Sequence, residues 1–86
     1  MRLPENQSYH HWCVCVHELE TARQVAEIHF SSEQNEEIGA IAGARLADMA
    51  GGVVLTGEQL KRLAGLHVFG YDVAMFRYVL EGSLRQ

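Results

Sequence analysis

His10, His11, Cys13, Cys15 and His17 place five potential metal ligands within eight residues, and imidazole with thiolate is the donor set of zinc and copper sites. The same residues could build a thiol or metal sensor, or a nucleophilic cysteine whose pKa is lowered by a neighbouring histidine. Geometry limits each reading. Along a strand, side chains on one face recur about every 7 Å, so His11 and His17 would stand about 20 Å apart and could not share an ion. Wound as a helix, the cluster converges in twos and threes, short of the four ligands of a closed structural zinc site. His29 and His67 are tied to it by no recognised spacing. The expectation is no metal, no cofactor and no catalytic residue: the cysteines pack as small apolar side chains and the histidines line a solvated face. No glycine-rich phosphate loop, nucleophile elbow or metalloprotease helix occurs, so the chain reads as non-enzymatic.

A second arrangement points to an interface. At a period of four, Gly39, Gly43, Ala47 and Gly51 form one row, flanked by Ile38, Ala42 and Leu46. On a helix these small residues leave a bare groove, and interior glycine costs roughly 1 kcal/mol relative to alanine. Close approach of another helix is the simplest compensation, either inside the domain or across a dimer or partner contact. Gly39, Gly43, Ala47, Ile38, Ala42 and Leu46, together with Tyr71, Met75 and Tyr78 of the last segment, are the candidate interface residues. In an uncrowded helix, Gly43→Ala should stabilise by several tenths of a kcal/mol.

The elements that would carry these residues read as follows. Residues 9–17, YHHWCVCVH, alternate strictly, with Trp12, Val14 and Val16 on one side and His11, Cys13, Cys15 and His17 on the other. Period two favours a strand, although Trp12, Val16 and Leu19 also fit a helix, and a lone strand would leave its backbone unpaired. Good helix formers from Glu18 to Phe30 predict a helix. Ser31 with Gln34 forms a capping-box pattern, and Glu33, Glu36 and Glu37 favour the first turn of a helix running to about Ala50. Thr56 as N-cap with Gln59 at N3, and Leu55 placed against Leu60, start another helix at Gly57. Two apolar stripes, with Phe69, Val73, Phe76 and Leu80 beside Val68, Tyr71, Met75 and Tyr78, predict a final helix over 69–81 ended by Gly82.

Composition bounds the rest. The 86 residues, 48% hydrophobic and 21% charged, suit one small folded domain. So short a chain buries a modest share of its surface, which makes self-association a common remedy. A net charge of −4, with seven basic residues scattered along the chain, disfavours nucleic-acid binding, because that affinity rests on neutralising several phosphates together. The N-terminus lacks the apolar core of a secretory signal, and no apolar run approaches the roughly 18 residues of a membrane span, so a cytoplasmic location is expected.

The sequence therefore predicts an all-α, mainly helical single domain over 1–86: a small bundle of three or four helices, with 9–17 readable as strand or helix and with loosely ordered tails at 1–8 and 83–86. In size and charge it resembles the general type of short acidic bacterial or phage protein that works by binding another protein. The expected function is a non-enzymatic, homodimeric regulator or inhibitor that occludes or sequesters a larger protein, for example a transcription regulator or a defence or phage-related target. A helix-turn-helix DNA-binding regulator using Lys61 and Arg62 is the first alternative. The thiol or metal sensor on His10, His11, Cys13, Cys15 and His17 is the second.

Overall fold

Alternation decides the first element. The computed structural model describes residues 9–46 and 52–83, and in it the YHHWCVCVH stretch becomes strand β1 (His11–Glu18). A tight turn leads to strand β2 (Gln24–His29), then a short 3-10 turn (Ser32–Gln34) and helix α1 (Asn35–Ala42). Strand β3 (Val53–Val54), helix α2 (Gly57–Ala64) and strand β4 (Phe76–Ser83) follow. The strands form one antiparallel sheet in the order β2, β1, β4, β3.

The all-α bundle is thus corrected to a small α/β domain: among the described residues, a four-stranded antiparallel sheet with two short helices. The physical reason is the strand pairing that β1 requires. Its backbone is satisfied on one side by β2, from Cys13 opposite His29 to His17 opposite Gln24, and on the other by all eight residues of β4. The helix expected over 18–30 is replaced by a turn and β2, with Ala22 at φ 62° accommodating the reversal. The helix expected over 69–81 is replaced by an irregular segment and β4, with Gly82 inside the strand opposite Trp12. Ser83, expected in a loose tail, belongs to β4. The remaining tail residues, 1–8 and 84–86, lie outside the described residues.

The helix expected to run to Ala50 is also shorter. Ser31 caps the 3-10 turn by accepting from the Glu33 amide, while the Gln34 side chain donates to the Leu66 carbonyl instead of closing a capping box. Helix α1 stops at Ala42 because Gly43 adopts φ 69°, a left-handed conformation that suits glycine at a helix end. The Gly39 carbonyl accepts from the amides of both Gly43 and Ala44. Ala47 and Gly51, the rest of the small-residue row, lie outside the described residues.

Helix α2 follows its sequence signals. Thr56 Oγ1 accepts from the Gln59 amide and Gln59 Oε1 from the Thr56 amide, a reciprocal capping box, and Leu55 and Leu60 are both buried. Both helices cover one face of the sheet. There Trp12, Val14, Val16, Tyr78 and Leu80 meet Ile38, Leu55, Leu60 and Leu63 in one core. Trp12 Nε1–H donates to the Asn35 carbonyl at 3.0 Å, and Asn35 Nδ2 donates to the His10 carbonyl at 2.9 Å, so the start of α1 is fastened to the start of β1.

Two glycine substitutions distinguish this ending of α1 from a continuous helix. Gly43→Ala places a β-carbon on a left-handed backbone and should cost about 1 kcal/mol, the opposite of the stabilisation expected of a mid-helix site. A β-carbon at Gly39 would lie 2.7 Å from the Ala44 carbonyl oxygen, so Gly39→Ala should cost at least as much. Thermal unfolding is expected to report a fall of roughly 4–8 °C per kcal/mol in a domain of this size.

Candidate functional site

Two surfaces carry chemistry or contact: the sheet face opposite the helices, and the segment joining α2 to β4. On the first, β1 presents His11, Cys13, Cys15 and His17. Pairing sets His29 and Glu81 on either side of Cys13, Glu27 and Val79 on either side of Cys15, and Gln24 and Arg77 on either side of His17. His11, Cys13 and Cys15 are buried although the helices lie on the other side.

Cys13 and Cys15 are free thiols. Burial pushes both above the ordinary thiol value. The negative charges of Glu27 and Glu81 add to this at Cys13, and a hydrogen bond with Glu81 adds to it at Cys15. His29 is the cross-strand partner of Cys13, yet the charges facing that thiol are carboxylates, which favour S–H over a thiolate. At neutral pH the pair behaves as small packing groups and weak hydrogen-bond donors. Among the described residues, no three His, Cys, Asp or Glu side chains are placed to hold a metal ion.

The histidines divide. His17 sits at the far end of β1, its ring beside the Ala22 carbonyl, and His67 stacks edge-on against Phe30 at 5.6 Å. His10, His11 and His29 come together: His10 Nδ1 lies 3.1 Å from His11 Nδ1, His11 Nε2 lies 2.9 Å from His29 Nδ1, and His29 Nε2 lies 3.0 Å from Glu27 Oε1. Spacing could not reveal the participation of His29 and Glu27, because strand pairing joins positions eighteen residues apart. The available signal was the alternation of Val25, Glu27 and His29 with Ala26, Ile28 and Phe30, which is a strand pattern.

The candidate interface residues are distributed over several environments. Ile38 and Tyr78 are inside the core, Gly39 is buried, and Ala42 and Leu46 are half-buried. Gly39 and Gly43 border a groove of about 790 Å³ together with Asn35, Ala40, Ala44 and Leu46. Tyr71 and Met75 are exposed and belong to the second surface. There the chain is pinned at two points: Phe69 packs edge-on against Phe30, and Tyr78 Oη accepts from the Asp72 amide at 2.8 Å. Asp72 Oδ1 accepts in turn from the Ala74 amide. Between and beyond these anchors Val68, Val73 and Met75 remain 91%, 51% and 59% exposed. The Leu19 amide, at the tip of the β1–β2 turn, donates to the Met75 carbonyl, so exposed Leu19 adjoins this arc.

Helices α1 and α2 are separated in the chain by β3, which pairs with β4. No helix among the described residues is long and apolar enough to cross a membrane.

Raised thiol values give a signed expectation for stability. The folded state holds the S–H proton more tightly than the unfolded chain, whose thiols titrate near 9.0. The contribution is complete below that value, and stability falls as pH rises through it. In chemical denaturation from pH 8 to 10, Cys13→Ala/Cys15→Ala should lose less stability than the parent protein; an equal or steeper loss would refute the assignment. Comparison of the chain with protein-family models, with curated proteins and with solved structures gave no match.

Proposed function

We propose that this chain is a non-enzymatic protein-binding module, cytoplasmic and homodimeric, that occludes or sequesters a larger protein. The observation that carries the reading is the apolar arc of Val68, Tyr71, Val73 and Met75, exposed on a segment fastened at Phe69 and Asp72, with exposed Leu19 of the β1–β2 turn bonded to its Met75 carbonyl. Exposed apolar clusters in small proteins commonly mark interaction sites, and tyrosine and methionine are enriched in interface centres. An arc held by an aromatic contact and by the Tyr78 hydroxyl needs little further ordering on binding, which lowers the entropic cost of association. The negative net charge and scattered basic residues favour a protein partner over nucleic acid.

Val68→Asp/Met75→Asp tests this reading. Both side chains are largely exposed, so unfolding temperature should be retained while a partner recovered by affinity capture is lost, by tenfold or more in affinity if the arc is an interface centre. Capture at parental strength by the folded variant would refute the assignment of the arc. Light scattering at micromolar concentration should return the mass of two chains, and a single-chain mass would remove the homodimer from the proposal. No DNA shift is expected at physiological salt; a sequence-specific shift abolished by substituting Lys61 and Arg62 would replace this reading with a DNA-binding one.

A further inference from the structure

We propose that His10, His11, His29 and Glu27 form a proton-triggered clasp that holds the edge strand β2 against β1. It is independent of the binding reading above. The three contacts run in series, from His10 Nδ1 to His11 Nδ1, from His11 Nε2 to His29 Nδ1, and from His29 Nε2 to Glu27 Oε1. An ionised carboxylate only accepts, so His29 carries its proton on Nε2. Neutral His29 then has a bare Nδ1, which makes His11 the donor through Nε2. His11 Nδ1 is bare in turn, and His10 donates through Nδ1. The carboxylate thus fixes the tautomer of all three rings. Glu27 is itself steadied by Gln24, whose Nε2 donates to its other oxygen at 3.1 Å.

Proton counting gives the device. Each contact needs one hydrogen, and His10 Nε2, on an exposed residue, is the ring nitrogen outside the series. A proton arriving at that nitrogen leaves every contact intact. By successive N–H transfer its charge can move to His11 or His29 without breaking one. A second added proton has no such place: one contact must then bring two N–H groups face to face, and the chain parts. Since His11 is on β1 while His29 and Glu27 are on β2, parting removes a side-chain tie from a strand whose opposite edge closes the sheet's order.

Among the described residues, carboxylates flank the histidine chain on β2 and β4. On β1 the neighbour is the Cys13 thiol; on β4 they are Glu81, aligned with Cys13, and neutral Ser83, aligned with His11. Tyr9 precedes the chain and lies against Gly82, and α1 supplies the uncharged Asn35 amide to the His10 carbonyl. Glu27 and Glu81 are the charged groups of this set among the described residues, and both are carboxylates.

Imidazole nitrogen NMR on the full ¹⁵N-labelled chain, scanned from roughly pH 8 to 5 where histidines titrate, tests the clasp. At the upper end His29 and His11 should each be the Nε2–H tautomer and His10 the Nδ1–H tautomer. Amide-exchange protection of 24–29, corrected for intrinsic rates, should fall about tenfold relative to 76–83 toward the lower end as β2 opens locally. In His29→Gln, whose side chain is partly exposed, that difference should no longer depend on pH. Mixed tautomers in the parent at pH 8, or β2 protection that follows β4 at every pH, would overturn the proposal without recourse to any variant.

Discussion

Everything in this fold depends on β1 having a partner on each edge. An isolated eight-residue strand leaves the backbone groups of both its edges unpaired, and burying them unpaired costs more than the domain's margin can bear. β2 and β4 remove that cost along the strand. Once β1 is central, its alternating side chains are committed: Trp12, Val14 and Val16 toward the helices, the imidazoles and thiols toward the other face. Trp12 adds the directional element. It is fully buried, and its indole N–H fixes the first turn of α1 through the Asn35 carbonyl, so strand and helix are joined by a hydrogen bond as well as by apolar contact.

That same requirement explains what could be read in the sequence. The two-residue period of 9–17 and the capping signals around Thr56 are local, and both are realised as β1 and α2. β2 and β4 were obscured because Leu19, Ala22, Gln24, Ala26 and Glu27 are good helix formers, and because Phe76, Tyr78 and Leu80 fit a broad helical stripe as well as an alternating one. Tertiary pairing outweighs propensities of a few tenths of a kcal/mol per residue. The need to pair residues 9–17 was visible; its solution lay in reading Arg77, Val79 and Glu81 as one strand face and Phe76, Tyr78 and Leu80 as the other. The first two positions of the small-residue row carry local backbone roles. Gly43 serves a left-handed helix ending and Gly39 a close approach of the Ala44 carbonyl, so two glycines at helical spacing have separate backbone roles.

The candidate surfaces follow from this layering. Covering one sheet face with both helices leaves the opposite face to polar and sulfur-bearing residues, where strand pairing assembles a histidine chain that spacing along the sequence does not suggest. The connection from α2 to β4 must travel past the sheet end, and it does so with Phe69 and Asp72 secured while Val68, Tyr71, Val73 and Met75 stay outward. The thiols, which invite a catalytic or metal reading in the sequence, are held as S–H by burial and neighbouring carboxylates.

The assignment of residues 76–83 as a strand beside β1 is the claim on which core, open face and histidine chain all rest. Backbone nuclear Overhauser contacts test it most directly. Cross-strand contacts linking Cys13 with Glu81 and Cys15 with Val79 are predicted from the register. Contacts between residues three apart running through 69–81, with those cross-strand contacts missing, would signify a helix there and contradict the account.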